Sequence, residues 1–202
     1  SLRRFAHYDY WQDKVRRSIL FDAQADLLTY GMGELASKEI AQRLASGEGP
    51  ETMTDIRGTC VCVDTPEGCA YEVVGVPSFE EVLENKTAYA QANRIEYLEH
   101  DPFVGRAIVQ KHGKKYLLTN PPARPLTTPE MDQVAELPYV REPHPMYDAL
   151  GGVPAIEEVR FSVTHNRGCF GACNFCSLAF HQGRVISARS HDSVVREVEA
   201  LT

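Results

Sequence analysis

The sequence predicts an α/β chain in three segments: the tail of an α/β layer, a connecting α+β region, and the opening of a second α/β unit. Three observations carry that reading. Helix and strand signals alternate with short links through residues 1–76, the grammar of an α/β layer with a parallel sheet. Helix caps, a hairpin and clustered prolines fill residues 77–150. From residue 151 an alternating apolar run leads into a cysteine cluster and then a helix.

Taken in order, Trp11, Val15 and Ile19 recur at four-residue spacing with Lys14, Arg16 and Arg17 between them, which predicts an amphipathic helix. Residues 26–30 form a short apolar run closed by Gly31-Met32-Gly33, a buried strand entering a turn. Residues 34–45 carry Leu35, Ala36, Ile40 and Leu44 on one face, with Ser46-Gly47 as the stop. Residues 55–63 read as a further strand. Ser78 with Glu81 three residues on fits a capping box, opening one long helix that ends before Asp101-Pro102. A hairpin over residues 107–118 follows, turning at Lys111-His112-Gly113-Lys114. Thr128 caps a short helix with Pro129 at its first position, ending at Pro138. Residues 159–164 alternate at period two, with Val159, Phe161 and Val163 on the apolar face of a strand. Ser190 caps a last helix with Val194, Val195, Val198 and Leu201 facing inward.

Composition narrows the function classes. Apolar residues make up 43% and charged ones 24% of 202 residues, ordinary globular usage. No run approaches the ~18 apolar residues of a membrane span, and the net charge of −7 argues against general nucleic-acid binding. Six cysteines are too sparse for a disulfide scaffold, which points to a reducing, cytoplasmic compartment.

The chemistry concentrates in Cys169-Phe170-Gly171-Ala172-Cys173-Asn174-Phe175-Cys176, a C-x3-C-x2-C run. Three thiolates on one loop can surround a soft cation or an iron–sulfur cube, and Gly171 and Ala172 let the backbone curl tightly. A closed cube takes four cysteines, so three leave one iron with an open position. The alternative is a zinc-stabilised structural or interaction module, its Cys3His site completed by His165 or His181, without redox chemistry. Cys60, Cys62 and Cys69 read as core hydrophobes rather than a second metal site. His181 and Arg184 either meet an anionic ligand or tune a cluster by hydrogen bonding, or they cap the adjoining loop. Gly31-Met32-Gly33-Glu34 reads as a tight turn rather than a phosphate cradle, Lys111, Lys114 and Lys115 as a solvated hairpin tip, and Trp11 with Tyr8 and Tyr10 as core packing rather than a base-stacking platform.

The cysteine run after a strand, with Phe175 just before the last cysteine, resembles the radical S-adenosylmethionine (SAM) superfamily. The string over residues 164–184 is similar to its YgiQ-type branch, as are His7-Tyr8-Asp9-Tyr10-Trp11, Val15-Arg16-Arg17-Ser18-Ile19-Leu20, Tyr30-Gly31-Met32-Gly33-Glu34 and Asn120-Pro121-Pro122-Ala123. The resemblance implies that Cys169, Cys173 and Cys176 bind three irons of a 4Fe-4S cluster, with Phe175 beside the cofactors. SAM would take the fourth iron and be split reductively to a 5′-deoxyadenosyl radical that abstracts hydrogen from a substrate. It further implies an electron donor such as flavodoxin or ferredoxin and a small-molecule or macromolecular substrate. In fold terms it implies the end of a Rossmann-like, cobalamin-binding-like domain over 1–76, a connecting region over 77–150, and the start of a partial (β/α) radical-SAM barrel over 151–202. Only 26 residues follow Cys176, and the Asp-x-His-x-x-Gly cobalamin motif is absent from these residues. The chain therefore reads as a piece of a longer enzyme, inactive by itself.

Overall fold

Residues 2–171, 173 and 175–201 are described by the computed structural model. They divide into two units, Ser1–Pro125 with Cys169–Arg184, and Leu126–Gly168 with Val185–Thr202. The divisions fall elsewhere than at residues 76 and 150, since one sheet takes strands from both sides of residue 76.

The first unit opens with a hairpin, His7–Asp9 (β1) against Lys14–Arg16 (β2), with Tyr8 opposite Val15. The helix expected from Trp11, Val15 and Ile19 does not form. The Asp9 carboxylate accepts from the amides of Trp11 and Gln12 at 3.1 and 3.2 Å, which closes a turn, and Asp13 takes a left-handed φ of 48°. The β-forming Tyr8 and Val15 then pair across it. Trp11 stands at the tip, 91% exposed, with Tyr10 edge-on beside it, so the expected core packing of these rings is corrected as well. Ser18 caps Ile19–Asp22 (α1), whose Leu20 is buried.

The sheet follows from Leu27–Thr29 (β3), Glu34–Ala45 (α2), Thr59–Val63 (β4), Val73–Val76 (β5), Phe79–Glu84 (α3), Lys86–Glu99 (α4), Ala107–His112 (β6) and Lys115–Thr119 (β7). Its strand order is β3-β4-β7-β6-β5, and only the β5–β6 pairing is parallel. The parallel sheet expected here is thus a mixed one. A tight turn at Gly113, with φ 63°, joins antiparallel neighbours only, and it places β7 between β6 and β4. Successive residues bury on opposite faces: Cys60, Ile108 and Leu117 pack with Phe5, Leu20 and Tyr30, while Val61, Val109 and Leu118 pack with Leu27 and Tyr116. The Ser78–Glu81 capping box forms. The single long helix does not: Asn85 turns extended and its side chain accepts from the amides of Thr87 and Ala88, ending α3 and starting α4.

The second unit begins with Thr128–Ala135 (α5), capped by Thr127 with Glu130, one residue earlier than expected. Ile156–Val159 (α6) is a helical turn, and the strand expected over residues 159–164 does not form. An alternating run supplies one apolar face, but its backbone also needs a neighbour, and among the described residues of this unit the one strand pairing joins Asn166–Arg167 (β8) to Ser187–Ala188. Phe161 is left 69% exposed. Leu178–Gln182 (α7) belongs to the first unit; Ser187–Ala188 (β9), β8's partner, and His191–Leu201 (α8) belong to the second. The Ser190 hydroxyl accepts from the Ser193 amide and caps α8. Its inward face is not the expected valine stripe, since Val195 and Val198 are exposed. The buried Arg189 guanidinium takes that side instead, donating to Ser193 O at 2.9 Å and Thr164 O at 3.2 Å and pairing with Glu197. Among the described residues no helix is long and apolar enough to cross a membrane.

Candidate functional site

The expected site residues lie between two special glycines. Gly168 has φ 94°, and a Cβ there would collide with the Val185 carbonyl, so only glycine fits at the entry. Gly183, φ 81°, ends α7. The Cys169 amide donates to the Gly183 carbonyl at 3.1 Å, tying the start of the cysteine loop to its end, and the Cys176 amide donates to the Cys173 carbonyl at 3.0 Å. The loop curls around Gly171. A Cβ there would sit 3.5 Å from Cys169 Sγ and 3.7 Å from Cys173 Sγ, so both sulfurs converge on the one position without a side chain. All three cysteines are free, Cys169 and Cys176 half-buried and Cys173 exposed. Phe175 is 93% exposed. Ala172 and Asn174 of the motif lie outside the described residues. Among the described residues no three His, Cys, Asp or Glu side chains are grouped closely enough to hold a metal ion as they stand.

Beneath α7 lies a buried polar floor that motif reasoning missed. Ala179 is buried, and the Phe180 ring lies 5.9 Å from Tyr97 and 5.6 Å from His100. His100 Nδ1 is 3.3 Å from the Arg4 guanidinium, which sits 4.4 Å over the Tyr30 ring. The Tyr30 hydroxyl donates to the Asn120 carbonyl at 2.5 Å. The Asn120 amide nitrogen in turn donates to Thr54 O, Ile56 O and Thr59 Oγ1, each at 3.0 Å. Burial, with the charges of Arg4 and Arg184 beside it, pulls His100 down to about 4, so its imidazole is neutral. Burial pushes the Glu96 carboxyl up to about 8, against the pull of Arg4. These groups line a cavity of about 10 Å³, the size of one water molecule. Tyr30 and Asn120 stand in strings that carry the resemblance; Arg4, Glu96 and His100 carried no motif, and Arg4 lies far from the other two in sequence.

The other candidates resolve as structural. Cys60 and Cys62 pack on one face of the sheet and Cys69 on the other, so the three do not form a site. Gly31 takes a left-handed φ of 71° at a bend. Lys115 pairs with Asp64 at 3.1 Å, and Lys111 and Lys114 are exposed. Arg184 lies 3.9 Å over the Tyr97 ring and donates to the Tyr97 carbonyl at 3.1 Å, the loop-capping alternative. His165, offered as a zinc ligand, lies with its ring 6.4 Å from that of His191.

The Radical SAM N-terminal family model matches residues 1–162, ending before the cysteines. Over all 202 residues the chain is 50% identical to a UPF0313 protein of Clostridium botulinum and 50% identical to one of Methanocella arvoryzae. The chain belongs to the radical SAM superfamily, in its YgiQ-like UPF0313 family. A UPF0313 protein of Clostridium perfringens is 48% identical over the same length. The chain spans about a third of these curated relatives, 31%, 33% and 30% respectively. No solved structure matches.

Radical SAM membership implies a 4Fe-4S cluster and SAM. The donor set fits a cluster. Thiolates are the ligands iron–sulfur cubes take, the three thiols are unbridged, and two of them already flank Gly171, where a Cβ would fill the space between the sulfurs. The outer side of the loop, with Cys173 and Phe175, is open.

Proposed function

We propose that the longer protein containing these residues is a radical SAM enzyme whose Cys169, Cys173 and Cys176 hold a 4Fe-4S cluster. The observation that carries this is the loop itself: three free thiols at C-x3-C-x2-C spacing, with the sulfurs of Cys169 and Cys173 converging on Gly171. Cleavage of a carbon–sulfur bond of SAM by one electron, giving methionine and a hydrogen-abstracting 5′-deoxyadenosyl radical, is the chemistry the bound group supplies. The chain's own residues do the holding. Three thiolates from one loop would bind three irons and leave the fourth free for SAM. Gly171 lets the sulfurs approach without a side chain between them, and the exposed Phe175 ring would shield the cofactors beside Cys176. In the same reading the longer protein carries a Rossmann-like, cobalamin-binding-like domain and a partial (β/α) barrel. An electron donor such as flavodoxin or ferredoxin, an unidentified substrate, and a reducing cytoplasmic setting complete it.

Anaerobic reconstitution of the full-length protein tests the proposal. It should take up about four irons per chain, show a low-temperature EPR signal when reduced, and release 5′-deoxyadenosine from SAM. Cys173→Ala should abolish all three. Stoichiometric zinc with no reducible iron, or a cluster untouched by Cys173→Ala, would replace this reading with a structural metal module.

A further inference from the structure

The closing end of the cysteine loop is fastened to the last turn of α4 by side chains that lie outside the motif. Arg184, one residue past the loop's final glycine, has a long side chain that could extend into water. Instead its guanidinium carbon lies 3.9 Å over the Tyr97 ring centroid and the group donates to the Tyr97 carbonyl at 3.1 Å. The face contact and the hydrogen bond together give it two anchors on one residue. Next to it, the Gly183 carbonyl accepts from the Cys169 amide, and Cys169 Sγ lies 3.5 Å from where a Cβ of Gly171 would be. A second contact holds the same segment, since Phe180 sits against both Tyr97 and His100. On its other side the His181 carbonyl lies 3.9 Å from where a Cβ of Gly31 would be.

We infer that Tyr97 and Arg184 are positioning residues for the cysteine loop: Arg184 straps the loop's closing end to Tyr97, and through Gly183 this holds Cys169 near its fellow ligands before any cluster binds. The inference rests on the proposed function only in calling those cysteines ligands. The strap is a property of the polypeptide. It also gives the segment before the motif a task, because Tyr97 lies 72 positions upstream of Cys169 and meets the loop only through the fold.

The test uses the full-length protein in four variants, Arg184→Lys, Tyr97→Leu, Tyr97→Phe and, as a control at the exposed hairpin tip, Lys111→Ala. In cluster-free protein, hydrogen exchange of residues 169–184 should be about tenfold faster in Arg184→Lys and Tyr97→Leu, with β6 and β7 unchanged. Cys169 should react faster with a thiol reagent in the same two variants. Tyr97→Phe keeps the ring face and the backbone carbonyl and should behave as wild type, as should Lys111→Ala. After anaerobic reconstitution, the two loosened variants should lose their cluster to air several-fold faster and show an altered EPR line shape. Unchanged exchange in both overturns the strap. Faster exchange with an identical cluster signal and lifetime overturns the positioning role. Absence of a cluster in the wild type overturns the proposed function instead, while exchange and Cys169 reactivity still decide the strap.

Discussion

Two sets of three cysteines occur in this chain, and the structure treats them oppositely. Cys60 and Cys62 are two apart on β4 and point into the sheet's first core cluster, while Cys69 packs on the far face. Burial pushes the Cys60 thiol up to about 11 and raises those of Cys62 and Cys69, so all three remain protonated at neutral pH. Cys60 Sγ also accepts from the Thr119 hydroxyl at 3.4 Å, as a core polar group does. Cys169, Cys173 and Cys176 lie on a loop with no strand to commit their directions, and two of the sulfurs face a glycine. The contrast teaches that sulfur count and close spacing do not make a ligand set. A metal-binding thiol needs freedom to ionise and a backbone that brings it to a common point.

The sharpest way to break the comparison is by deletion. Cys173→Ala in the full-length protein should remove the cluster entirely, whereas Cys62→Ala should leave iron content and EPR signal within error of wild type. Equal losses from both would mean that β4 contributes a ligand. Labelling is the next largest effect. In cluster-free native protein, Cys173 should be modified by a thiol reagent about a thousandfold faster than Cys60, whose modification requires opening of the sheet. Comparable rates would show that β4 is not closed.

A third experiment separates the floor from the loop it supports. Asn120 donates to three oxygens from residues 54–59, and its carbonyl holds the Tyr30 hydroxyl. Asn120→Ala removes all three hydrogen bonds and takes the donor from the Thr54 carbonyl, while Ile56 O keeps the Thr59 hydroxyl at 2.7 Å; it should cost roughly 3 kcal/mol, read as a lower denaturant midpoint at unchanged slope. Tyr30→Phe removes one hydrogen bond and should cost about 1 kcal/mol. If instead Asn120→Ala left stability alone and only accelerated cluster loss, the floor would serve the loop and not the fold.

What was legible in the sequence was whatever is decided within a few residues. The Ser78–Glu81 box and the hairpin over Gly113 each depend on neighbours in the chain, and each stands where the pattern put it. The failures share another cause. Four-residue spacing at Trp11, Val15 and Ile19 lost to a turn closed by the Asp9 carboxylate. The alternating run at residues 159–164 lacked a paired neighbour, and Asn85 capped a helix in the middle of a periodic stretch. The parallel layer became a mixed sheet because strand order is a tertiary choice. At the site, the spacing of the three cysteines was readable, but the packing of Tyr97, His100 and Arg4 was not. Their contact with the loop exists only once α4, α7 and the amino-terminal segment are packed together.

The same contrast between buried and exposed groups extends from thiols to stability against pH, with the smallest expected effect. His112 is stacked between Phe21, at 4.6 Å, and Phe79, at 5.4 Å, and burial pulls it down to about 4; His100 is also near 4. Unfolded histidine titrates near 6.5, so between pH 6.5 and 4 the unfolded chain binds more protons and stability falls as pH drops. Glu96 acts with the opposite sign. Its folded carboxyl is held at about 8 against 4.5 when unfolded, so between pH 4.5 and 8 the folded chain binds more protons and stability falls as pH rises. Below pH 6.5 these two histidines, with His7, which burial also pulls down, oppose one carboxyl; above it, of these groups, only the carboxyl acts. The apoprotein's melting temperature should therefore peak near pH 6.5, of the order of the histidine reference value. His112→Phe keeps the ring sandwich and should flatten the acid limb alone, by a few degrees of melting temperature, while Glu96→Gln should flatten only the decline toward pH 8. An acid limb unchanged in His112→Phe would show that this imidazole takes up its proton without leaving the stack, and burial would then not be what distinguishes it from a solvent-facing group.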